Sequence, residues 1–307
     1  MIAYVDAYRA RFGVGPICRT LKASLDCGFI TVRAYWQAKR RASSMMRARH
    51  ETLARDIHMI HAHRFQAVYG YRRMFARLQR QGWQGIGRDQ VLHVMRELGI
   101  RGVRRGGIPV TTRPAGSTGG REDLVNRAFT ADAPGRLHVA DITYVRLANG
   151  SFAYVAFVTD AYARRIVGWA VSASQRTREL PLVALDQSIS WTARHGDTQG
   201  LIHHSDHGTQ YISTIYGTRL NEHGILASTG GVGDSYDNAL AETVNGAYKS
   251  ELIKRCKPFD SVQALEQATF QWVSWWNQER LHEHLGYQTP AEVEARYYQS
   301  QVTPVTQ

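Results

Sequence analysis

From Arg136 onward the spacing of apolar residues changes, and that change restricts the fold more than any other feature of the sequence. Residues 137–147 read as a strand, and an Asn149-Gly150 pair follows them. That dipeptide tolerates the two positive-φ positions of a tight hairpin turn. A second strand is predicted over 152–159. A third, over 165–171, follows a turn at 160–163. Helices and strands then alternate. A helix over 179–192 has Leu182, Leu185, Ile189 and Trp191 as its apolar set, and is followed by a strand at 201–205. A helix at 210–222, a short strand at 225–229 and a helix at 238–254 complete the series. Strands joined by short turns pair antiparallel, whereas strands separated by helices enter parallel. Residues 131–256 are therefore predicted to form an α/β domain on a mixed five-stranded sheet.

The rest of the chain has a different character. Residues 1–130 carry 24 Lys and Arg against 8 Asp and Glu, whereas residues 131–307 carry 14 against 18. Arg enrichment from base composition would not gather in one half, so the distribution suggests a polyanion grip joined to a different machine. Residues 1–48 hold two short helical candidates, at 15–22 and 31–41. Residues 49–105 read as helices broken by turns, with Leu53, Ile57 and Ile60 on one face and Met74, Phe75 and Leu78 on the next. Two short helices across the turn at 82–87 fit a helix-turn-helix, with Arg88, Arg96, Arg101, Arg104 and Arg105 around the second. A small helical bundle with a solvated basic face fits that segment alone equally well. Residues 106–130 are a linker by composition. Residues 257–307 form a helical extension, whose tryptophans have the helical spacing of core residues. No apolar run is long enough to span a bilayer, and no basic segment leads into a long apolar one. Three cysteines without a CxxC pair argue against a disulfide framework. The expectation is a cytoplasmic protein with no membrane partner.

Three acids stand out. Asp141 interrupts an apolar strand expected at the centre of the sheet, where an unpartnered charge is costly. Asp206 ends the strand at 201–205, and ligands of α/β sheets gather at the carboxyl ends of strands. Taken alone, Asp206 could equally be a helix N-cap. Glu242 shares one helical face with Asn238, Asn245 and Lys249. Enzymes that cut nucleic acid often use two hard divalent ions roughly 3.5–4 Å apart, and such ions require oxygen ligands gathered from distant segments.

The order of three antiparallel strands followed by alternating helices and strands is that of the ribonuclease H-like fold. Thirty-five residues separate Asp206 from Glu242, and Lys249 follows Glu242 by seven. This resembles the DD(35)E signature of retroviral integrases and related bacterial transposases. Asp141-Ile-Thr-Tyr144, Ser205-Asp-His-Gly-Thr-Gln-Tyr211, Tyr236-Asp-Asn-Ala239 and Leu285-Gly-Tyr-Gln-Thr-Pro290 are similar to motifs of one insertion-sequence group. In that group a second reading frame is joined to a first by frameshifting. Tyr69-Gly-Tyr-Arg-Arg73 and Val94-Met-Arg-Glu-Leu-Gly-Ile100 extend the likeness upstream. The resemblance implies a DDE transposase in which Asp141, Asp206 and Glu242 hold two Mg²⁺ or Mn²⁺ ions per site. It implies end-DNA contacts by Asn238, Asn245 and Lys249, and further DNA contacts by Arg72, Arg73 and the arginines above. Implied partners are the element's terminal repeats and target DNA, further copies of the chain, and the upstream frame's product or a fusion with it. His138 stands where the group usually has an aromatic residue, and Trp276 where it has Tyr. His58, His61 and His63 lack nearby cysteines, so no zinc is expected. Gly230, Gly231 and Gly233 suggest a loop over the site.

Overall fold

The computed structural model describes residues 1–40, 45–103, 122–125, 128–206, 208–230 and 239–302. The predicted strands assemble as β1 (Leu137–Arg146), β2 (Phe152–Asp160), β3 (Ile166–Ser172), β4 (Ile202–Ser205) and β5 (Leu226–Thr229). Their order across the sheet is β3-β2-β1-β4-β5. The first three pair antiparallel, whereas β4 runs parallel to both β1 and β5. β1 is thus the central strand, as its apolar text requires. Asp160 shapes the turn into β3 by accepting the Tyr162 and Ala163 amides at 3.0 and 2.9 Å.

Both faces of this sheet are covered. On one, α7 (Pro181–His195) and α8 (Thr214–Glu222) bury Leu180, Ala184, Leu185, Tyr216 and Leu220 against Ala140, Ala156 and Val158. Gly168 of β3 is required here, because a Cβ would stand 2.0 Å from the Ala184 carbonyl oxygen. On the other face lie α9 (Ala239–Glu251) and α10 (Val262–Gln278). Phe157 of β2 meets Tyr248 and Trp272 at ring separations of 5.1 and 5.7 Å. Trp272 and Trp276 are buried, so the tryptophan spacing does mark core. Ser261 opens α10 by accepting the Ala264 amide, an N-cap that satisfies one orphan donor.

Contacts divide the chain into two compact units, Met1–Asp56 and Ile57–Gln307. The first contains α1 (Ile2–Phe12), α2 (Val14–Ser24) and α3 (Val32–Arg40) around Val5, Ile17, Cys18 and Tyr35. The Tyr35 hydroxyl donates to Asp6 at 2.7 Å. The helix α1 was not anticipated, because its sequence has almost no apolar periodicity and buries only Val5. The helix α4 (Met45–Ala62) runs across the division. The second unit continues with α5 (Tyr71–Arg80) and α6 (Arg88–Glu97), the two helices expected on either side of the 82–87 turn. It ends in α11 (Pro290–Val302), which the sequence pattern left inside an undivided extension. The first turn of α11, the segment before it and α10 anchor the helical module: Arg80 pairs with Glu292 and donates to the Tyr287 carbonyl, and Phe65 packs on Trp275 at 5.1 Å. The helix predicted from 210 begins only at Thr214. Asp206 accepts the Gly208 amide, and Tyr211 is drawn into the core, so residues 208–213 form a turn.

Candidate active site

Register places the first two acids together. β1 pairs β4 through Ala140 opposite Ser205, so Asp141 and Asp206 occupy the next level of adjacent parallel strands. Paired positions in a parallel ladder send side chains to the same face, with strands roughly 4.8 Å apart. That face is the one covered by α9. Asn245 of α9 donates from Nδ2 to Asp141 Oδ2 at 2.8 Å, and the Ile142 amide donates to Oδ1 at 2.8 Å. Glu242 lies three residues before Asn245, one helical turn away on the same side. Its side chain is exposed, as is that of Asp206, whereas Asp141 is half-buried.

The electrostatics fit three crowded acids. Burial, the charge of Asp206 and, to a smaller extent, that of Glu242 push the Asp141 carboxyl up to about 7, against the pull of its two hydrogen bonds. Burial also raises Glu242. Lys249, two turns beyond Glu242, has its ammonium 4.7 Å from the centre of the Tyr144 ring. Burial lowers Lys249 and the carboxylate of Asp141 opposes that shift, so the two charges sense one another. Sequence reasoning missed Tyr144, although it stands in the quoted Asp-Ile-Thr-Tyr text. Among the described residues no three or more His, Cys, Asp or Glu side chains are already spaced to hold one metal ion.

The other candidates divide. Arg72, Arg88, Arg96 and Arg101 are exposed. Arg73 differs: its guanidinium reaches Glu251 at 3.7 Å, and that carboxylate is buried. Asn238, Arg104, Arg105 and most of the glycine-containing loop lie outside the described residues. His138 is buried with neither ring nitrogen hydrogen-bonded, and burial lowers it to about 3. It is thus a neutral ring occupying an aromatic's place. It borders a cavity of about 390 Å³, with Asp160, Trp191 and Glu294, that none of the three acids lines.

A β3-β2-β1-β4-β5 sheet with acids on its central strand, at the end of the neighbouring parallel strand and on the facing helix is a ribonuclease H-like core of the DDE type. Models of the integrase core domain match residues 131–235 and 223–290, and an HTH-like domain model matches residues 48–107. The putative transposase for insertion sequence element IS986/IS6110 of Mycobacterium tuberculosis is 44% identical over 278 residues, covering 90% of this chain and 98% of that protein. The transposase for insertion sequence element IS629 of Shigella sonnei is 41% identical over 302 residues, covering 98% and 97%. The HTLV-2 integrase catalytic core domain, solved in complex with magnesium, is a distant neighbour at a TM-score of 0.42 and 17% identity, covering 53% of this chain and 98% of that one. The fold assignment stands on strand order and pairing. The chain belongs to the insertion-sequence transposases, DDE-type enzymes of the integrase superfamily that act in DNA transposition. Among its described residues, no helix is long and apolar enough to cross a membrane.

Proposed function

We propose that the chain cleaves the ends of an insertion sequence and joins the freed 3′-OH to another phosphodiester, with two divalent ions held by Asp141, Asp206 and Glu242. The observation that carries this reading is the strand register that sets Asp141 beside Asp206 beneath α9, the helix that bears Glu242 and whose Asn245 holds Asp141. Burial first, and the neighbouring acids second, push the Asp141 carboxyl up; hard cations offset such charge, and the all-oxygen donor set suits Mg²⁺ or Mn²⁺. When bound, such ions lower the pKa of an attacking hydroxyl and stabilise the leaving oxygen. Asp141 is held by Asn245 and the Ile142 amide, each using one carboxylate oxygen and leaving lone pairs for metal. The reading requires Glu242 to turn toward the two aspartates when metal and DNA bind. Lys249 and Asn245, with Asn238, hold the end phosphates. No zinc enters the scheme.

In the same reading residues 49–105 recognise element ends, residues 106–130 link them to a catalytic domain at 131–256, and residues 257–307 brace both. Residues 1–48 add basic charge. Two ends must be handled together, so copies of the chain assemble on DNA, with or without the upstream frame's product. Such an enzyme works where the bacterial chromosome is, in the cytoplasm.

The test is a strand-transfer assay with labelled element-end duplex. Cleavage and joining are expected in Mg²⁺ or Mn²⁺ and little of either in Ca²⁺, whose looser, higher coordination suits the geometry poorly. Cleavage without joining would favour a nuclease, and binding without either a DNA-binding regulator. Division of labour is best tested in the full chain, because the module around α5 leans on Trp275 and Glu292 and a fragment would lose that support. Arg88→Ala and Arg96→Ala should reduce discrimination of end from scrambled duplex by about 1–3 kcal/mol where the side chain reads a base edge. Arg72→Ala, a phosphate contact, should lower affinity for both duplexes alike and reduce the salt slope by about one. Discrimination unchanged in both α6 variants would remove that helix from end recognition.

A further inference from the structure

β1 pairs with β4 only as far as Ala140, so beyond Asp141 the described structure leaves that edge of the central strand open. The β1–β2 hairpin carries two large rings out along this edge. Tyr144 is 44% exposed and Phe152 46% exposed, and the rings meet edge-to-face at 5.6 Å. They share a sheet face with Arg146, which is exposed and lies directly opposite Phe152 in the register; three positions on from Asp141, this is the reverse of the face Asp141 occupies, and Lys249 meets Tyr144 at the open edge between the two. What ties them to the acidic site is Lys249, whose ammonium rests over Tyr144 and which lies one turn beyond Asn245, the residue that holds Asp141, on the same face of α9.

Resting on the proposed function, we infer that Tyr144 and Phe152 form a stacking subsite for an unpaired nucleobase of the strand that passes from the processed phosphate, by way of Lys249, round the open edge of β1. Cations flank both rings, Lys249 on the catalytic side and Arg146 on the outer side, which suits a strand whose backbone runs past them. Bases stack on exposed aromatic faces with little regard to sequence, while adjacent cations track the phosphates. Lys249 covers part of Tyr144 in the structure. A surface cation–aromatic contact is weaker than a charge-assisted bond to phosphate, so an arriving phosphate draws the ammonium away and frees the ring for the base. A single contact thus keeps both groups ready and gives each a separate target. Tyr144 and Phe152 carry no proton in the reaction; they position the strand.

The experiment places 2-aminopurine in the unpaired strand leading from the scissile phosphate and reads its fluorescence with the full-length protein in Ca²⁺, where binding proceeds without cleavage. Wild-type protein should quench it. Tyr144→Leu and Phe152→Leu, which keep apolar bulk but remove the aromatic face, should restore the fluorescence. In Mg²⁺ they should slow joining roughly 5- to 100-fold, in line with base–aromatic stacking. Tyr144→Phe and Phe152→Tyr should behave as wild type, since the face is needed and the hydroxyl is not. Quenching unchanged in the Leu double variant overturns the subsite. So does a change of oligomeric state in that variant without a change in quenching, because the rings would then cover a second copy of the chain. Absent quenching in wild type alongside joining that Asp141→Asn abolishes sinks the subsite and leaves the active site standing. Normal quenching with full joining by Asp141→Asn does the reverse.

Discussion

Asp141→Asn is expected to lose DNA cleavage and joining by about 10³-fold or more while still binding element ends. Metal ions in such sites are worth several kcal/mol of charge stabilisation in the transition state, and each 1.36 kcal/mol is tenfold in rate. The variant removes the carboxylate that receives both Asn245 and the Ile142 amide but preserves shape, and the amide oxygen can still accept from Ile142. Asp206→Asn and Glu242→Gln should fall comparably. DNA affinity should hold or rise slightly, because it comes from basic groups meeting phosphates and the variant removes a repelling charge. A metal-free stability measurement supplies the control. The Asp141 carboxyl titrates near 7 in the folded chain and near 3.8 in a model peptide. Its proton therefore stabilises the fold fully below about pH 4, and that contribution is lost as pH rises through 7. Without metal at pH 8, Asp141→Asn should melt above wild type, and the gap should close as pH falls toward 4. Adding Mg²⁺ should raise the melting point of wild type and leave the variant nearly unmoved. Near wild-type joining by Asp141→Asn would sink the catalytic assignment.

How much of this was readable beforehand follows physical lines. The strands were legible because their apolar spacing and the Asn149-Gly150 turn are local signals that agree with the tertiary sheet. Asp141 was legible because a charge in an apolar strand needs a reason, and its juxtaposition with Asp206 followed from strand order. The Asn245–Asp141 contact was half visible: helical spacing put Asn245 on the face of Glu242 but could not say which side met the sheet. Arg73 was misleading in another way. In sequence it is one more arginine of a basic helix, and only the fold brings Glu251 to it, 178 positions downstream. Tyr144 lay in a motif yet read as strand filler, because no local pattern shows that β4 pairs with β1 only as far as Ala140 and leaves the rest of that edge open. The helix α1 escaped for want of a periodic apolar face.

Glu251→Ala is expected to be the most destabilising single change, at about 3–5 kcal/mol, the cost of stranding a buried charge. Glu251, the last residue of α9, is 4% exposed, and Arg280 is 3% exposed. Arg280 donates to both carboxylate oxygens, with its shortest contact at 2.6 Å, and Trp272 Nε1 adds a third donor at 3.4 Å. The guanidinium also lies 4.3 Å from the centre of the Trp276 ring. Its remaining nitrogen meets His282, which burial and this same cation hold well below the usual histidine range. A histidine is neutral or cationic and never anionic, so it cannot take over the neutralisation of Arg280 that Glu251 supplies. A loss of that size in a unit of this length should lower the melting temperature by roughly 10 °C. Arg73→Met should cost far less, because its guanidinium is half-buried and 3.7 Å away. Replacing both charges, as Glu251→Leu with Arg280→Met, should cost much less than the sum of the single changes, since buried pairs return little beyond their own desolvation. The consequence for catalysis is indirect. α9 carries Glu242, Asn245 and Lys249 in its first three turns and is pinned at its far end by Glu251, so end cleavage should fall with stability and recover in the double variant. A melting temperature within about 2 °C of wild type for Glu251→Ala would show that this network does not hold the helix.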